Sequence, residues 1–456
     1  MCSVNDQPLL PSGKKQPNIG SKCLKCQKPA VAIARIKDPF CKECFHVYVT
    51  HRFRATFGKA KLVRQNEKAL LAFSGGQSSS VLLDLVRKGL SENVHKKLRF
   101  HPMILIVDDG AVLHQSWEER VKSLSEHVSV TVQSGFPVYC TRIEEVFGLH
   151  HLWCGNHWQP VPYNPKETTF GAQNLSSKET QHHCDIPTNI CATDSITVDT
   201  TVTDVSESDN GACGSANLQA HPDNSNCTGR DVLHQYTRSV ECEEKLVKLF
   251  DGTKTLTAKE DLLHSLRLQL IVDAARKLGC TKVIVGDNET RLSVRLFSDV
   301  AQGRGHVAPL DISFADDRYR DVMIVRPMRE FPSQEIATYC VLFNLQVMTT
   351  PSLTTMATEK ASIDRLTEAF IVGLQHNFPS TVNSVFRTGE KLSLPADSKS
   401  VKCSLCLAPI DSSSTEESQL CYGCQLTSRD MQQKNVPLPL SIKQDTTREA
   451  VKDYLL

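Results

Sequence analysis

No apolar run in this 456-residue sequence reaches the ~18 residues that a membrane-crossing helix needs, so no membrane partner is expected. An excess of either charge is also missing. Fifty-two Lys and Arg face 51 Asp and Glu, a net +1. No global field steers the chain to nucleic acid, and such binding has to come from local patches. The start, Met1-Cys2-Ser3-Val4-Asn5-Asp6, lacks the basic-then-apolar pattern of a secretory leader. No Gly-Lys-Ser/Thr ending occurs, which excludes a Walker A phosphate loop. Phe, Tyr and Trp vanish between Gly171 and Arg230, where Ser, Thr, Asn and Asp dominate. Such a composition buries too little apolar surface to offset ordering, so a disordered insertion is expected at about 155–240.

Cysteine, by contrast, is plentiful: 18 residues, eight of them in Cys-x-x-Cys pairs. Tight pairs suit zinc in a reducing compartment better than disulfides, and a cytoplasmic protein is expected. Cys23 and Cys26 are followed after fourteen residues by Cys41 and Cys44. Cys403 and Cys406 are followed, again after fourteen, by Cys421 and Cys424. Each pair places two thiolates on one knuckle, and two knuckles complete a tetrahedron around zinc. A closed four-sulfur shell is structural, because catalytic zinc needs an open position. Two structural zinc sites are expected. One ion shared by knuckles from opposite ends is the alternative, although local closure costs less loop entropy. Cys184, Cys191, Cys213 and Cys227, within the insertion, lack ligand spacing.

Between the quartets the pattern alternates. Ala69-Leu70-Leu71-Ala72-Phe73 is a short apolar run of strand length, followed by Ser74-Gly75-Gly76-Gln77-Ser78-Ser79-Ser80 and an apolar helical face ending at Gly89. Glycine lets the backbone turn sharply and approach a ligand closely. The helix start beyond it presents free N–H groups to an anion. Strands are then expected over 102–109, 128–132, 282–286 and 322–325, with helices over 115–127, 261–278, 291–302 and 333–343. Strands alternating with helices imply a parallel sheet, with ligands at the carboxyl ends of its strands.

The segment from Phe45 to Lys68 carries Arg52, Arg54, Lys59, Lys61, Arg64 and Lys68 among Phe45, Tyr48, Phe53 and Phe57. Two compatible readings stay open. The cations neutralise phosphates while the aromatics stack on bases, which makes Arg52, Arg54, Lys59, Lys61 and Arg64 RNA-binding candidates. In the other reading a linking helix packs its aromatics on the core.

The Ser74–Ser80 stretch resembles the Ser-Gly-Gly-x-Asp-Ser loop of the PP-loop ATP pyrophosphatases, with Ser78 in place of the Asp. A zinc ribbon, a PP-loop α/β domain and a closing ribbon, in that order, resemble the cytosolic-type tRNA 2-thiolation enzymes. Within that group the chain is most similar to the protein 2 family, whose members partner the catalytic subunit. The catalytic paralogues carry a Cys-x-x-Cys-Gly where this chain has Lys259 to Arg267 without a cysteine. They carry a Gly-His-x-x-Asp-Asp motif where this chain keeps Gly286 but has Asp287 and Thr290-Arg291. A further catalytic cysteine is matched by Val325, before Arg326-Pro327. Cys140 and Cys154 remain as conceivable substitutes, although isolated cysteines are usually small core residues.

The resemblance implies a PP-loop ATP-pyrophosphatase-like parallel sheet flanked by N- and C-terminal zinc-ribbon modules. The expected layout is a tail over 1–20, a ribbon over 21–50, the α/β domain over 51–395, a ribbon over 396–430 and a tail over 431–456. Ser74, Gly75, Gly76, Ser78 and Ser79 are the nucleotide-loop candidates, with ATP as the candidate ligand. The implied partners are a catalytic tRNA 2-thiolation paralogue, a tRNA with a wobble uridine and, through the complex, a ubiquitin-related modifier as sulfur carrier. The implied role is that of a subunit not catalytic by itself. A self-sufficient PP-loop adenylating sulfurtransferase and a non-enzymatic zinc scaffold are the competing readings.

Overall fold

The computed structural model describes residues 21–60, 62–91, 97–147, 152–154, 238–393, 402–410 and 420–431. The expected insertion and both tails lie outside these residues, apart from residues at the insertion's edges and Met431, as do Lys61 and the side chain of Lys59. The chain opens with a short hairpin, β1 (Ala32–Ala34) against β2 (Asp38–Phe40), and the helix α1 (Lys42–Ala60). β3 (Glu67–Phe73), α2 (Gln77–Leu90), β4 (Phe100–Asp108), α3 (Trp117–Val132), β5 (Val138–Arg142) and β6 (Trp153–Cys154) follow. Beyond the undescribed segment come α4 (Val240–Asp251), α5 (Leu256–Lys277), β7 (Lys282–Ile284), α6 (Glu289–Ala301) and α7 (Ala308–Ile312). Then come β8 (Ala315–Asp316), β9 (Met323–Val325), α8 (Ser333–Leu342), α9 (Ile363–Asn377), α10 (Thr381–Gly389) and α11 (Tyr422–Asp430).

Seven strands form one sheet in the order β6-β5-β4-β3-β7-β9-β8. The five inner strands are parallel, and only the edge strands β6 and β8 run antiparallel. The central strand β3 is apolar on both faces: Leu71 packs toward α2 and Leu70 toward α5, and both are buried. That is why Ala69–Phe73 reads as a continuous apolar run rather than an alternating one. The chain builds β3, β4 and β5 to one side and later returns to add β7 and β9 on the other. The order reverses between β3 and β7, and a sheet of this kind binds ligands in the crevice at that reversal.

One expected strand is a helix. Val128–Val132 forms the last turns of α3, and the strand lies further on, at Val138–Arg142. Ser116 starts α3 with a reciprocal capping box to Glu119. Val121, Leu124, Val128 and Thr131 then fall on one buried helical face. Their three-to-four spacing outweighs the strand preference of alternating β-branched residues, which is set largely by context.

Candidate functional site

The Ser74–Ser79 loop sits at the carboxyl end of β3, beside the end of β7, at the reversal of strand order. Gly75 adopts φ +73°, a conformation that side chains resist. His127 from α3 and Met348 press on it; a Cβ there would lie 2.7 Å from His127 Nε2 and 3.1 Å from the Met348 Cβ. The Gly75 carbonyl accepts the Met348 N–H at 2.8 Å, and Ser80 Oγ donates to the Gln346 carbonyl at 3.2 Å. Gly76 caps α2 without a side-chain bond, and the first turn of α2 carries no acid. The positive end of the helix is therefore not neutralised locally, as an anion requires.

Ser78, in the place of the resembled family's Asp, is held from the segment after β7. Asn288 Nδ2 donates to Ser78 Oγ at 2.9 Å, while Asn288 Oδ1 accepts from the N–H of Arg291 and the hydroxyl of Ser333. Asn288 is thus both the cap of α6 and the clamp of the loop. Gly286 packs face to face with the loop: a Cβ would lie 3.1 Å from the Ser78 carbonyl carbon and the Ser79 nitrogen. Ser79 Oγ donates to the Gly76 carbonyl at 2.9 Å, and Ser74 Oγ lies 3.4 Å from Ser79 Oγ. Of the positions that stand for the family's His and acids, Asp287 and Thr290 are engaged internally and Arg291 is exposed. Asp287 pairs with Arg326 at 3.3 Å, and buried Thr290 accepts the Ser333 N–H at 3.1 Å.

No reactive thiolate stands near this loop among the described residues. Burial raises the Cys140 thiol well above its ordinary range. Cys280 and Cys340 are pushed up by burial to about 11. Cys340 lies 3.8 Å from the Gln77 carbonyl, so the thiol next to the loop is a protonated core group. Cys154 lies on the edge strand β6.

The two quartets are separate clusters. Within each, the four sulfurs lie within 4.8 Å of one another. Sulfurs 2.3 Å from one zinc stand roughly 3.8 Å apart in a tetrahedron, and the pairs Cys26–Cys41 and Cys406–Cys421 lie at 3.4 and 3.7 Å. Each group therefore fits a closed tetrahedral ion. Every ligand of the first recurs 380 positions later in the second, from Cys23 and Cys403 to Cys44 and Cys424. The backbone repeats too. Cys23 N–H donates to Lys28 O and Cys403 N–H to Ala408 O, and Gln27 and Leu407 both take positive φ. The second cysteine pair starts a helix in both cases, α1 and α11.

The ribbons attach by different faces. The first shares a core with α2 and α8 through Phe40, Phe45, Tyr48 and Tyr339. Its Arg35 N–H donates to Glu335, a buried acid that also pairs with Arg52 at 3.3 Å. The second is clasped by charged groups. Arg304 reaches Asp261 at 2.9 Å, Thr427 Oγ1 at 2.7 Å and the Gly423 carbonyl at 3.3 Å. Arg318 reaches the Cys406 carbonyl and pairs with Asp311 and Asp316.

The basic segment divides accordingly. Phe45, Tyr48, Phe53 and Phe57 are buried, so they form core rather than a stacking platform. Arg52 is engaged by Tyr48, Glu335 and the Glu330 carbonyl, whereas Arg64 is exposed and Arg54 half-buried.

Residues 362–420 match the family model "Cytoplasmic tRNA 2-thiolation protein 2". The Xenopus laevis cytoplasmic tRNA 2-thiolation protein 2-A is 39% identical over 424 residues, which is 90% of this chain and 77% of that protein. The Homo sapiens cytoplasmic tRNA 2-thiolation protein 2 is 37% identical over 455 residues, covering 97% of this chain and 82% of that one. The chain belongs to the cytoplasmic tRNA 2-thiolation protein 2 family. The name agrees with the cytoplasmic placement read from the cysteine pairs, and no described helix is long and apolar enough to cross a membrane. Among solved structures, the U34-tRNA thiolase NcsA from Methanococcus maripaludis, with its [4Fe-4S] cluster, aligns with 89% of this chain and 96% of its own. At a TM-score of 0.49 and 14% identity that likeness is too slight to argue from.

Sequence reasoning missed Asn288, His127 and Met348 around the loop, and Arg304 and Arg318 at the second ribbon. Asn288 had a readable signal, an Asn three residues before Arg291 at a helix start. The others carry none, because the loop or ribbon groups they meet lie more than 50 residues away in sequence.

Proposed function

We propose that the chain is the non-catalytic subunit of a tRNA 2-thiolation complex. It pairs with a catalytic PP-loop paralogue, which adenylates the wobble uridine at C2. Sulfur comes from a thiocarboxylated ubiquitin-related modifier acting through the complex. The observation that carries this reading is the Ser74–Ser79 loop. A strand, a glycine turn and a helix start follow one another in the order a phosphate loop uses, which supports the reading, but Ser78 stands where the resembled family has its acid and is bonded to Asn288. The thiol nearest the loop is buried and protonated. Sulfur transfer needs a thiolate or a thiolate-held cluster. In this reading the loop preserves the fold and offers a nucleotide site, and the two four-cysteine groups hold structural zinc. Arg54, Lys59, Lys61 and Arg64 add to an RNA surface.

Two assays test it. The purified chain is expected to catalyse no ATP–pyrophosphate exchange above a Gly75→Asp control. Cells lacking it are expected to lose 2-thiouridine from the wobble position. Exchange well above the control would instead favour a self-sufficient adenylating enzyme. Unchanged 2-thiouridine would favour a scaffold with other partners.

A further inference from the structure

The two ribbons share one backbone but present opposite chemistry on the same face. In the second ribbon the first knuckle is turned onto the α/β body. Lys402 Nζ donates to the Arg318 carbonyl at 2.6 Å, Leu405 packs against the core beside α4 and α5, and Ala408 is fully buried against Val307 and Leu310. In the first ribbon the corresponding positions, 380 residues earlier, are Lys22, Lys25 and Lys28. All three are exposed. Lys28 reaches only Glu43, at 4.0 Å with both side chains about two-thirds exposed, and no ion pair among the described residues involves Lys22 or Lys25. This ribbon instead docks through its hairpin and the inner face of α1, which leaves the knuckle open.

Charge separates the two modules further. Residues 21–60 hold nine Lys and Arg against two acids, whereas residues 402–431 hold two against four. In a chain of net +1 that is a strong local concentration. It is also rigidly arranged. The Lys22–Pro29 bridge and the Cys23 N–H to Lys28 carbonyl bond, at 2.7 Å, bring the two ends of the knuckle side by side. Lys25 sits at its tip, between two metal-ligand cysteines. The fold therefore presents three ammonium groups from one closed loop, residues 22–29. Preorganised cations lose little further backbone freedom when they engage a polyanion. Lysine suits phosphate as a point charge rather than a bidentate reader of base edges.

We infer that the first knuckle of the N-terminal ribbon, through Lys22, Lys25 and Lys28, grips the sugar–phosphate backbone of RNA, and that the C-terminal ribbon does not. This rests on the proposed role in tRNA thiolation, and it adds a contact at the ribbon's outer rim to the cations proposed on and just beyond α1, whose aromatics are buried. The contact is sequence-independent, so it positions RNA rather than selecting it.

The test measures affinity of the full chain for an unmodified tRNA transcript, by fluorescence anisotropy over a salt series. The variant is K22E/K25E/K28E, with K22Q/K25Q/K28Q as the milder form. Lys245→Glu on α4 serves as the charge control. Each lost phosphate contact lowers the slope of log affinity against log salt by about 0.7 to 0.9. The triple Glu variant is expected to lose about tenfold or more in affinity near 0.1 M salt and about two units of slope. The Gln variant should fall between, and the control should match wild type. Metal content and melting temperature equal to wild type establish that the ribbon still folds. Unchanged affinity and slope in the Glu variant would overturn the inference, as would a wild-type chain that binds no RNA. So would loss of binding to phosphatidylserine vesicles with RNA binding intact, which would assign the knuckle to a membrane surface. Complementation of deleted cells separates this from the proposed function. If wild type restores 2-thiouridine and the Glu variant does so equally, with unchanged RNA affinity, only the knuckle assignment fails. If wild type restores none, the thiolation role itself fails.

Discussion

At the scale of single residues, the loop is held by fit rather than by charge. Gly286 leaves room for the Ser78–Ser79 backbone at a contact a methyl group would occupy. Gly286→Ala is expected to destabilise the chain by about 1–3 kcal/mol in urea unfolding. Gly373→Ala is the internal control. It lies within α9 with nothing near a new Cβ, and it is expected to stabilise by about 0.5–1 kcal/mol through helix propensity. Equal effects would mean that the loop does not depend on the close approach of the segment after β7. The glycines of the loop were legible in the sequence because their conformational role has a residue type attached. His127 and Met348 were not, since a histidine on a helix face and a methionine in an irregular segment look the same wherever they point.

At the scale of elements, the second ribbon is attached through ion pairs buried between α5, α6 and α7. Arg304→Ala would strand Asp261, a buried acid whose other partner, Arg295, lies 3.9 Å away. Removing one member of a buried pair costs about 3–5 kcal/mol, so this variant is expected to unfold at markedly lower denaturant. The same cluster predicts a pH dependence. Burial outweighs the arginines and raises Asp261 to about 6 and Asp299 to about 8; Asp311, held by Arg318 and Arg295 despite its burial, stays below its ordinary range. The raised acids hold protons in the folded chain over a range where an unfolded carboxyl, at about 3.9, has lost them. Their contribution to stability therefore falls as pH rises from about 4 toward 8. Asp299→Asn is expected to flatten that decline in chemical denaturation between about pH 5 and 8, and an unaltered slope would count against it. The strands β3, β4, β7 and β9 were readable as short apolar runs, and the helices as periodic ones. The end of α3 was not, because Val128, Val130 and Val132 alternate like a strand and only their buried neighbours make them helix. The hold of Arg304 and Arg318 on the ribbon is equally invisible in sequence, since Gly423, Thr427 and Cys406 come from a distant segment.

At the scale of the whole molecule, two copies of one metal-binding module bracket a single parallel sheet. Cys23 and Cys41 belong to the same core as α2 and α8, whereas Cys403, Cys421 and Cys424 form a small core of their own. The purified chain is expected to carry two metal equivalents. Cys41→Ser and Cys421→Ser should each lose about one, with the larger drop in melting temperature for Cys41→Ser because its ribbon shares the main core. The ribbons and the parallel sheet were legible because cysteine spacing and apolar runs are local signals. The assignment of one knuckle to the body and the other to solvent needed the tertiary structure.

The central claim is that this family member contributes structure and surface while the sulfur transfer occurs on its partner. Its most direct test is reconstitution with an unmodified wobble-uridine tRNA, ATP and a thiocarboxylated sulfur carrier, with 2-thiouridine read by mass spectrometry. The chain alone is expected to give none, and the chain with its catalytic paralogue to give product above that of the paralogue alone. Steady formation of 2-thiouridine by the purified chain without the paralogue would contradict the claim.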